Sequence, residues 1–314
     1  MQKKVKPSLL SFKKSKDNRS FIYFLWIAPF LVLVFLFSYF PLHGWIYAFF
    51  DYKPPRSLAQ SEFVGLQWFK MLFNNSTQVS QLIQVMKNTF AMSLLGILCS
   101  VFPVAFAILL NEIKNKGVKI FVQTFTTLPN FISWILVYSV AFSLFSSKGM
   151  VNLFLQDAGI IEQPIKFLDS DSHTYLWMMG WNIWKTLGWN AIMYLASIAG
   201  IDPELYEAAS IDGAGRFQRM IKITLPSLLP TFFVMLMLSI ANFLNNGLDQ
   251  YFVFQNSFNK QHIQVLDLYV YNIGMTGSSY SLATAISMLK SLVSVILLTS
   301  VNLVSKKTRG QSII

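Results

Sequence analysis

Charged residues are scarce in this sequence. Only 12% of its 314 residues are Asp, Glu, Lys or Arg, whereas 54% are hydrophobic. A soluble domain carries about a quarter charged residues, and a soluble core could not hide this much apolar surface. The apolar residues also come in long blocks, which is typical of membrane spans. The composition therefore predicts an integral membrane protein.

The sequence also has little of what several kinds of site require. Its single cysteine, Cys99, cannot form an intramolecular disulfide or a multi-cysteine metal site. His43, His173 and His262 show no metal-ligand spacing. No Walker-type phosphate loop is found, and neither is a supported nucleophile–base pair or a pair of catalytic carboxylates. We therefore predict no catalytic site, no metal site and no cofactor bound by this chain.

What is present is a series of apolar segments of roughly 20 residues, long enough to cross a bilayer. We predict an all-α membrane domain over 21–304, between a basic tail at 1–20 and a second tail at 305–314. The first apolar run is too long for the core of a cleaved signal peptide. About six spans are predicted: 21–40, 89–110, a segment within 120–145 that Pro129 interrupts, 175–198, 226–245 and 282–304.

The basic residues orient these spans. The formal net charge is +11, and most Lys and Arg lie in the N-terminal tail, in 111–119, in 200–225 and in the C-terminal tail. With six spans all four segments fall on one side. Basic residues beside a span stay in the cytoplasm, so we predict cytoplasmic termini and an external segment 146–172.

The most informative loop is 200–225. Asp202 is a suitable N-cap and Pro203 a suitable first helical residue. Gly213 and Gly215 can adopt left-handed backbone angles and end that helix. A second helix then leads to Pro226. Small side chains give the first helix a surface that another chain can approach closely.

This loop resembles the signature loop of bacterial binding-protein-dependent ABC importer permeases. Its pattern is Glu-Ala-Ala, three residues, Gly, nine residues and Ile-x-Leu-Pro, and every fixed position is met between Glu207 and Pro226. The resemblance implies the type I ABC importer permease fold. It also implies that the loop docks on an ATPase subunit, through the residues Glu207, Ala208, Ala209, Asp212, Gly213 and Ala214.

The resemblance covers almost the whole chain. Phe63-Val64-Gly65-Leu66, Leu128-Pro129 and Asn182-Ile183-Trp184 are similar to maltose-type sugar permeases. Asp249-Gln250 and Tyr269-Val270-Tyr271 are similar to a narrower branch that imports oligosaccharides, including pectin and alginate fragments. The implied function is ATP-driven import of an oligosaccharide, acidic or neutral, by alternating access.

The resemblance also implies a set of partners. These are a second permease subunit, two ATP-binding cassette subunits that use ATP and Mg²⁺, an extracytoplasmic solute-binding protein, the sugar and membrane lipid. The implied location is the bacterial cytoplasmic membrane. This chain is expected to hydrolyse no ATP and to bind no nucleic acid.

The resemblance places the sugar beside the fourth span. In maltose-type permeases the Asn of Asn-x-Trp and the aromatic residue seven positions later contact sugar, and these positions hold Asn182 and Trp189 here. With Lys185 and Thr186 they lie on one stripe of a helix. The alternative is an interfacial aromatic belt or packing against neighbouring helices.

Lysine within a span is unusual. Lys185 is expected either to pair with a uronate carboxylate, to extend towards the interface or to pair with a partner subunit, and Lys290 has the same alternatives. Asn242 and Asn245 are three residues apart and are predicted to share a helix face, where related permeases present Asn to sugar.

Two other functions are compatible with a multi-span chain. A secondary transporter would work without ATP and would have a pseudo-symmetric second half. A membrane transferase would need catalytic groups at membrane depth, and no convincing set is found. A permease of the same type for another solute is the nearer alternative.

Overall fold

The computed structural model describes residues 18–171 and 173–309. The basic tail predicted at 1–20 therefore lies almost entirely outside the described residues, as does the end of the tail at 305–314. The chain divides into two units between Ile46 and Tyr47. The first unit contains helix α1, Asn18–Val34, which a π-helical turn and a 3₁₀ helix extend to Phe49.

The second unit is helical. Within the described residues no strand forms, and the one β-bridge joins Phe50 to Phe63, so the all-α prediction is confirmed. Asn75 and Asn115 cap the helices that follow them by accepting backbone N–H groups. The helices up to the fourth predicted span are α2 Gln67–Asn74, α3 Ser76–Cys99, α4 Val101–Asn111, α5 Lys116–Thr127, α6 Trp134–Phe145, α7 Met150–Asp157 and α8 Thr174–Ala199.

The remaining α-helices of the described chain are two long ones and five short ones. The long ones are α11 Leu225–Ala241 and α15 Tyr280–Arg309. The short ones are α9 Pro203–Ile211, α10 Arg216–Arg219, α12 Asp249–Phe254, α13 Lys260–Ile263 and α14 Leu266–Tyr271. The segment 249–279, predicted only as polar and aromatic, thus contains three short helices.

Five segments of the described chain are long and apolar enough to cross a membrane: Phe21–Phe49, Ser76–Asn111, Trp134–Asp157, Arg216–Ala241 and Tyr280–Lys307. The remaining predicted span, 175–198, corresponds to α8. This helix has 26 residues and so is long enough to cross a bilayer. Its polar residues, which include Asn182, Lys185 and Asn190, lower its mean hydropathy.

The third predicted span is divided, as Pro129 indicated. Helix α5 ends at Thr127, and a 3₁₀ turn occupies Leu128–Phe131. Ser133 then caps α6 by accepting the N–H of Leu136. The apolar segment that qualifies as a span begins only after this break, at Trp134. The break lies at the predicted position, and α6 ends at Phe145, the predicted end of this span.

Helix α8 is the centre of the second unit and contacts α3, α4, α5 and α11. Ala107 of α4, Ala191 of α8 and Leu228 of α11 are fully buried where these helices meet. Small residues at such positions let helices approach closely. The position of α8 is therefore fixed by several neighbouring helices.

Candidate functional site: a polar cavity and an exposed helix

Amide side chains line a cavity of about 280 Å³ between α3, α8, α11 and the turn after α11. Asn182 lines it from α8, and Asn242 and Asn245 line it from the turn. A second cavity of about 150 Å³ shares Asn182 with the first and adds Thr186. The structure thus brings together four of the six residues predicted to contact substrate.

Sequence reasoning missed several polar residues of the larger cavity. The two serines are polar side chains in largely apolar stretches, which is a signal for a cavity or a partner at membrane depth, whereas the two amides lie in a polar stretch. The signal does not say which of the two a residue faces. The missed residues are Ser93, Ser239, Asn246 and Gln250.

The turn that supplies two of the amides is fixed at several points. Helix α11 ends at Ala241, so Asn242 is its C-cap and not part of its face. The prediction that Asn242 and Asn245 share a helix face is therefore wrong. They meet instead within the turn, where Nδ2 of Asn245 donates to Oδ1 of Asn242 at 3.3 Å.

Ser93 of α3 holds the same turn from the other side. Its hydroxyl donates to the carbonyl of Phe243 and accepts a 2.9 Å hydrogen bond from Nδ2 of Asn246. The turn after α11 is thus tied to α3 by a side chain that itself lines the cavity.

The predicted stripe of α8 divides between two environments. Successive helical residues are rotated by roughly 100°, so the four residues of the stripe span a wide arc. Asn182 and Thr186 face the cavities, whereas Lys185 and Trp189 face the break between α5 and α6. The cavity-facing side of α8 continues instead through Met179, Ile183 and Asn190.

The hydrogen bonds of Lys185 contradict the substrate role predicted for it. The residue is buried, and its ammonium group donates to the carbonyls of Pro129 at 3.0 Å, Asn130 at 2.9 Å and Ile132 at 2.5 Å. These three acceptors use all three N–H groups of a lysine. No donor is left for a uronate carboxylate, so Lys185 stabilises the 3₁₀ turn at the break.

Trp189 also lies away from both cavities. Its ring packs edge to face on Phe131 with the centroids 5.7 Å apart. Between these two positions on α8, Gly188 lies against the backbone of Thr126. This side of α8 is therefore a packing surface for the divided third span, and the predicted stacking of sugar on Trp189 has no support from the cavity lining.

The second unusual lysine, Lys290 of α15, is paired with Asp267 of α14. Both side chains are largely buried, with 14% and 19% of their surfaces exposed. The carboxylate compensates the charge, so Lys290 is not available to a substrate in this structure.

The histidines show no metal-binding arrangement. Nδ1 of His262 lies 2.6 Å from Oδ2 of Asp171, and His173 adopts a left-handed backbone conformation immediately before α8. Within residues 18–171 and 173–309, no three His, Cys, Asp or Glu side chains are placed to hold a metal ion.

The predicted coupling residues form an exposed helix and turn. Asp202 caps α9 by accepting the N–H of Glu204 at 3.0 Å, and Pro203 is its first residue, which confirms both predictions. Gly213 has a φ of +79°. The N–H of Ala214 bonds the carbonyl of Ala209, which completes the expected helix-ending motif.

Gly215 differs from its prediction, because its backbone is extended, with a φ of −68°. It precedes α10 and begins the next helix instead of ending α9. The surface of the loop is apolar as well as small: Ile211 is 87% exposed and Phe217 is 69% exposed. Glu207, Ala208 and Asp212 are exposed beside them.

The exposed helix is joined directly to the cavity walls. Helix α9 follows α8, and α10 leads through a π-helical turn into α11. The hydroxyl groups of Tyr206 and Thr224 are 2.9 Å apart and tie α9 to the start of α11. Ser197 and Thr231 form a similar 3.0 Å bond between α8 and α11. Two of the helices that line the cavity, α8 and α11, are thus also the two that carry the exposed loop.

Residues 92–310 match the protein family described as binding-protein-dependent transport system inner membrane component. Two relatives come from Bacillus subtilis. Protein LplB is 38% identical over 287 residues, which cover 90% of this chain and 88% of LplB. The polygalacturonan/rhamnogalacturonan transport system permease protein YteP is 34% identical over 314 residues, which cover 94% of this chain and 93% of YteP.

Solved structures agree with these matches. One is the crystal structure of a bacterial ABC transporter involved in the import of the acidic polysaccharide alginate. It contains a chain that is 30% identical to this one, with a TM-score of 0.81 over 93% of this chain and 97% of that chain. Another shows a bacterial alginate ABC transporter in complex with an alginate pentasaccharide-bound periplasmic protein, with a TM-score of 0.82 at 30% identity over 94% and 97% of the two chains.

Proposed function

Because the chain belongs to the binding-protein-dependent transport system inner membrane components, a family of importer permeases, we propose that its polar cavity is half of an oligosaccharide pathway. The observation that carries the proposal is the direct connection between this cavity and the exposed helix α9. The coupling loop, residues 200–225, connects α8 to α11, and both of these helices line the cavity. A displacement of α9 therefore moves Asn182 relative to the turn after α11.

The chemistry of the cavity suits a sugar. Each Asn side chain offers two N–H donors and one carbonyl acceptor, and each sugar hydroxyl group both donates and accepts. The side-chain amide of Asn182 makes no hydrogen bond to the described residues and is half-buried, so it is free to bind a ligand. We assign the sugar contact to Asn182, Thr186, Asn242 and Asn245.

The proposed complex contains the partners that an importer needs. A solute-binding protein delivers the sugar from outside, a second permease completes the pathway, and two ATPase subunits bind ATP and Mg²⁺. Glu207 and the small residues of α9 dock on one ATPase subunit. Both termini lie in the cytoplasm, because the basic residues of the chain gather beside the cytoplasmic ends of the spans.

An acidic oligosaccharide is the favoured substrate. The alginate transporter and the polygalacturonan/rhamnogalacturonan permease both carry names that specify acidic polysaccharides. In this chain Lys185 and Lys290 are both engaged, so the cavity would hold hydroxyl groups and carboxylate oxygens through amide N–H donors. A cation for the uronate would then come from another subunit.

The test is uptake by the reconstituted complex at a saturating concentration of sugar-loaded binding protein. Asn182→Leu removes a polar group shared by the two cavities, and Thr186→Val removes one from the smaller cavity, each with little change in volume. Each should lower the amount of oligosaccharide imported per ATP roughly fivefold, since one hydrogen bond contributes about 1 kcal/mol.

Thr299→Val is the matched control for Thr186→Val. Thr299 lies on α15, is exposed and bonds only to the carbonyl of Val295 in its own helix. It should transport at the wild-type rate. Wild-type import per ATP by both cavity variants would remove the sugar site from this cavity.

A further inference from the structure

The turn that presents Asn242, Asn245 and Asn246 to the cavity contains one residue with a left-handed backbone conformation. Gly247 has a φ of +82°, a conformation that glycine adopts without the steric penalty of a side chain. Its N–H points to Oδ2 of Asp267 at 3.1 Å. The backbone of the turn is therefore fixed by a carboxylate that lies twenty residues further along the chain.

Asp267 uses its two oxygens for different tasks. Oδ2 accepts the N–H of Gly247, and Oδ1 contacts the ammonium group of Lys290 on α15. A carboxylate that is mostly removed from water needs a nearby counter-charge. Lys290 supplies that charge, so the last span provides the counter-charge of the carboxylate that holds the turn.

Asp267 is itself held in place by α3. The N–H of Leu266 donates to Oγ1 of Thr89 at 2.9 Å. Nδ2 of Asn88 donates to the carbonyls of Gln261 and Gln264 at 2.9 and 3.0 Å. Both Asn88 and Thr89 are fully buried. The start of α14 is consequently a fixed point, and Asp267 transmits its position to Gly247.

We propose that Asp267 and Lys290 are a pair of positioning residues that set the amide turn for sugar binding. Neither residue lines the cavity, so neither contacts the sugar. Asp267 places the turn through the Gly247 N–H, and Lys290 compensates the charge of the carboxylate and holds it in place. The inference rests on the proposed sugar site, but it concerns residues outside that site.

The experiment separates the charge pair from the hydrogen bond to Gly247. Lys290→Met leaves a buried carboxylate without a partner, and Asp267→Asn leaves a buried ammonium without one. Each should lower the oligosaccharide imported per ATP about tenfold, the loss expected when a mostly buried charge loses its partner. ATP hydrolysis stimulated by the binding protein should persist, because the coupling loop is unchanged.

The double variants are decisive. Asp267→Asn with Lys290→Met removes both charges but keeps an oxygen that accepts the Gly247 N–H, so import per ATP should return to within about twofold of wild type. The double variant Asp267→Leu with Lys290→Met is also uncharged at both positions but offers no acceptor to the Gly247 N–H, so its import per ATP should stay low. Lys53→Met is the control, because Lys53 forms an exposed ion pair with Asp51 and should behave as wild type.

Three outcomes would overturn the proposal. The first is wild-type import per ATP by Lys290→Met. The second is no recovery by the double variant with Asp267→Asn, and the third is equal recovery by the double variant with Asp267→Leu. Asn182→Leu, measured in the same series, distinguishes failure of the positioning role from failure of the proposed sugar site. If it loses import while the pair variants do not, the sugar site stands and the positioning role fails. If Asn182→Leu and Thr186→Val both import normally, the sugar site itself fails.

Discussion

At the scale of single residues, Lys185 shows how the membrane domain stabilises a buried charge. A buried ammonium group is costly unless hydrogen bonds replace the water that it loses. Lys185 obtains them from three carbonyls at the break between α5 and α6. These carbonyls lie where the regular helix stops, and that of Pro129 also accepts the N–H of Ile132. One ammonium group thus bonds three successive parts of the break.

Lys185→Met should therefore act on stability and not on selectivity. The loss of the ammonium group removes three hydrogen bonds from the break, at about 1–3 kcal/mol, so the unfolding temperature of the purified protein should fall by several degrees. Uptake of neutral and uronic oligosaccharides should fall in equal proportion. Lys70→Met, at an exposed position on α2, is the control. A selective loss of uronic uptake with unchanged stability would contradict this role.

Gly188 provides a second test of the same packing surface. A Cβ atom at this position would lie within 3.0 Å of backbone atoms of Thr126 and Thr127, and helix backbones cannot move as side chains do. Gly188→Ala should destabilise the protein by about 1–3 kcal/mol, measured by thermal unfolding in detergent. Gly180→Ala lies on the same helix in open space and should be neutral or slightly stabilising. Equal unfolding temperatures for the two variants would refute the close contact of α8 with α5.

The element scale explains how the exposed loop keeps its shape. Helix α9 begins at a side-chain cap and ends at a left-handed glycine, and Arg219 of α10 donates to the hydroxyl of Ser210 at 2.8 Å. Nε of Arg216 lies 3.9 Å from the carboxylate of Glu112, which links the loop to the end of α4. The loop is thus a defined surface before any partner binds.

Gly213→Leu should leave the membrane helices folded but disable coupling. A non-glycine residue at this φ is disfavoured by about 1–2 kcal/mol, so the turn that presents α9 changes shape and gains bulk. Binding-protein-stimulated ATP hydrolysis by the reconstituted complex should be lost. Gly215→Leu adds the same bulk to an extended backbone with open space around it and should retain more of the activity. Normal binding-protein-stimulated ATP hydrolysis by Gly213→Leu would contradict the coupling role of this turn.

Sequence and structure agree best where the determining interaction is local. The cap at Asp202 and the break at Pro129 depend on neighbouring residues, and the pattern predicted both. The partners of Lys185 lie more than fifty residues away in the chain, so periodicity could not show them. The same limit applies to the stripe on α8, because spacing gives the face of a residue but not what the face meets.

At the scale of the whole molecule, orientation is the first quantity to measure. Ile160→Cys and Ile211→Cys, each in a Cys99→Ala background, place a thiol on two exposed positions, one in the segment before α8 and one in the loop after it. An impermeant maleimide added outside should label position 160 in intact cells, and position 211 only after permeabilisation. Labelling of position 160 only from the cytoplasmic side would invert the topology.

The proposed importer is tested most directly by uptake of a uronic oligosaccharide into proteoliposomes. These should contain this chain, the second permease and the ATPase subunits, with ATP inside and the binding protein outside. We predict uptake that stops when ATP, the binding protein or the second permease is left out, because this chain supplies half of the pathway and no ATPase. Uptake by this chain alone, without ATP, would contradict the account and favour a secondary transporter.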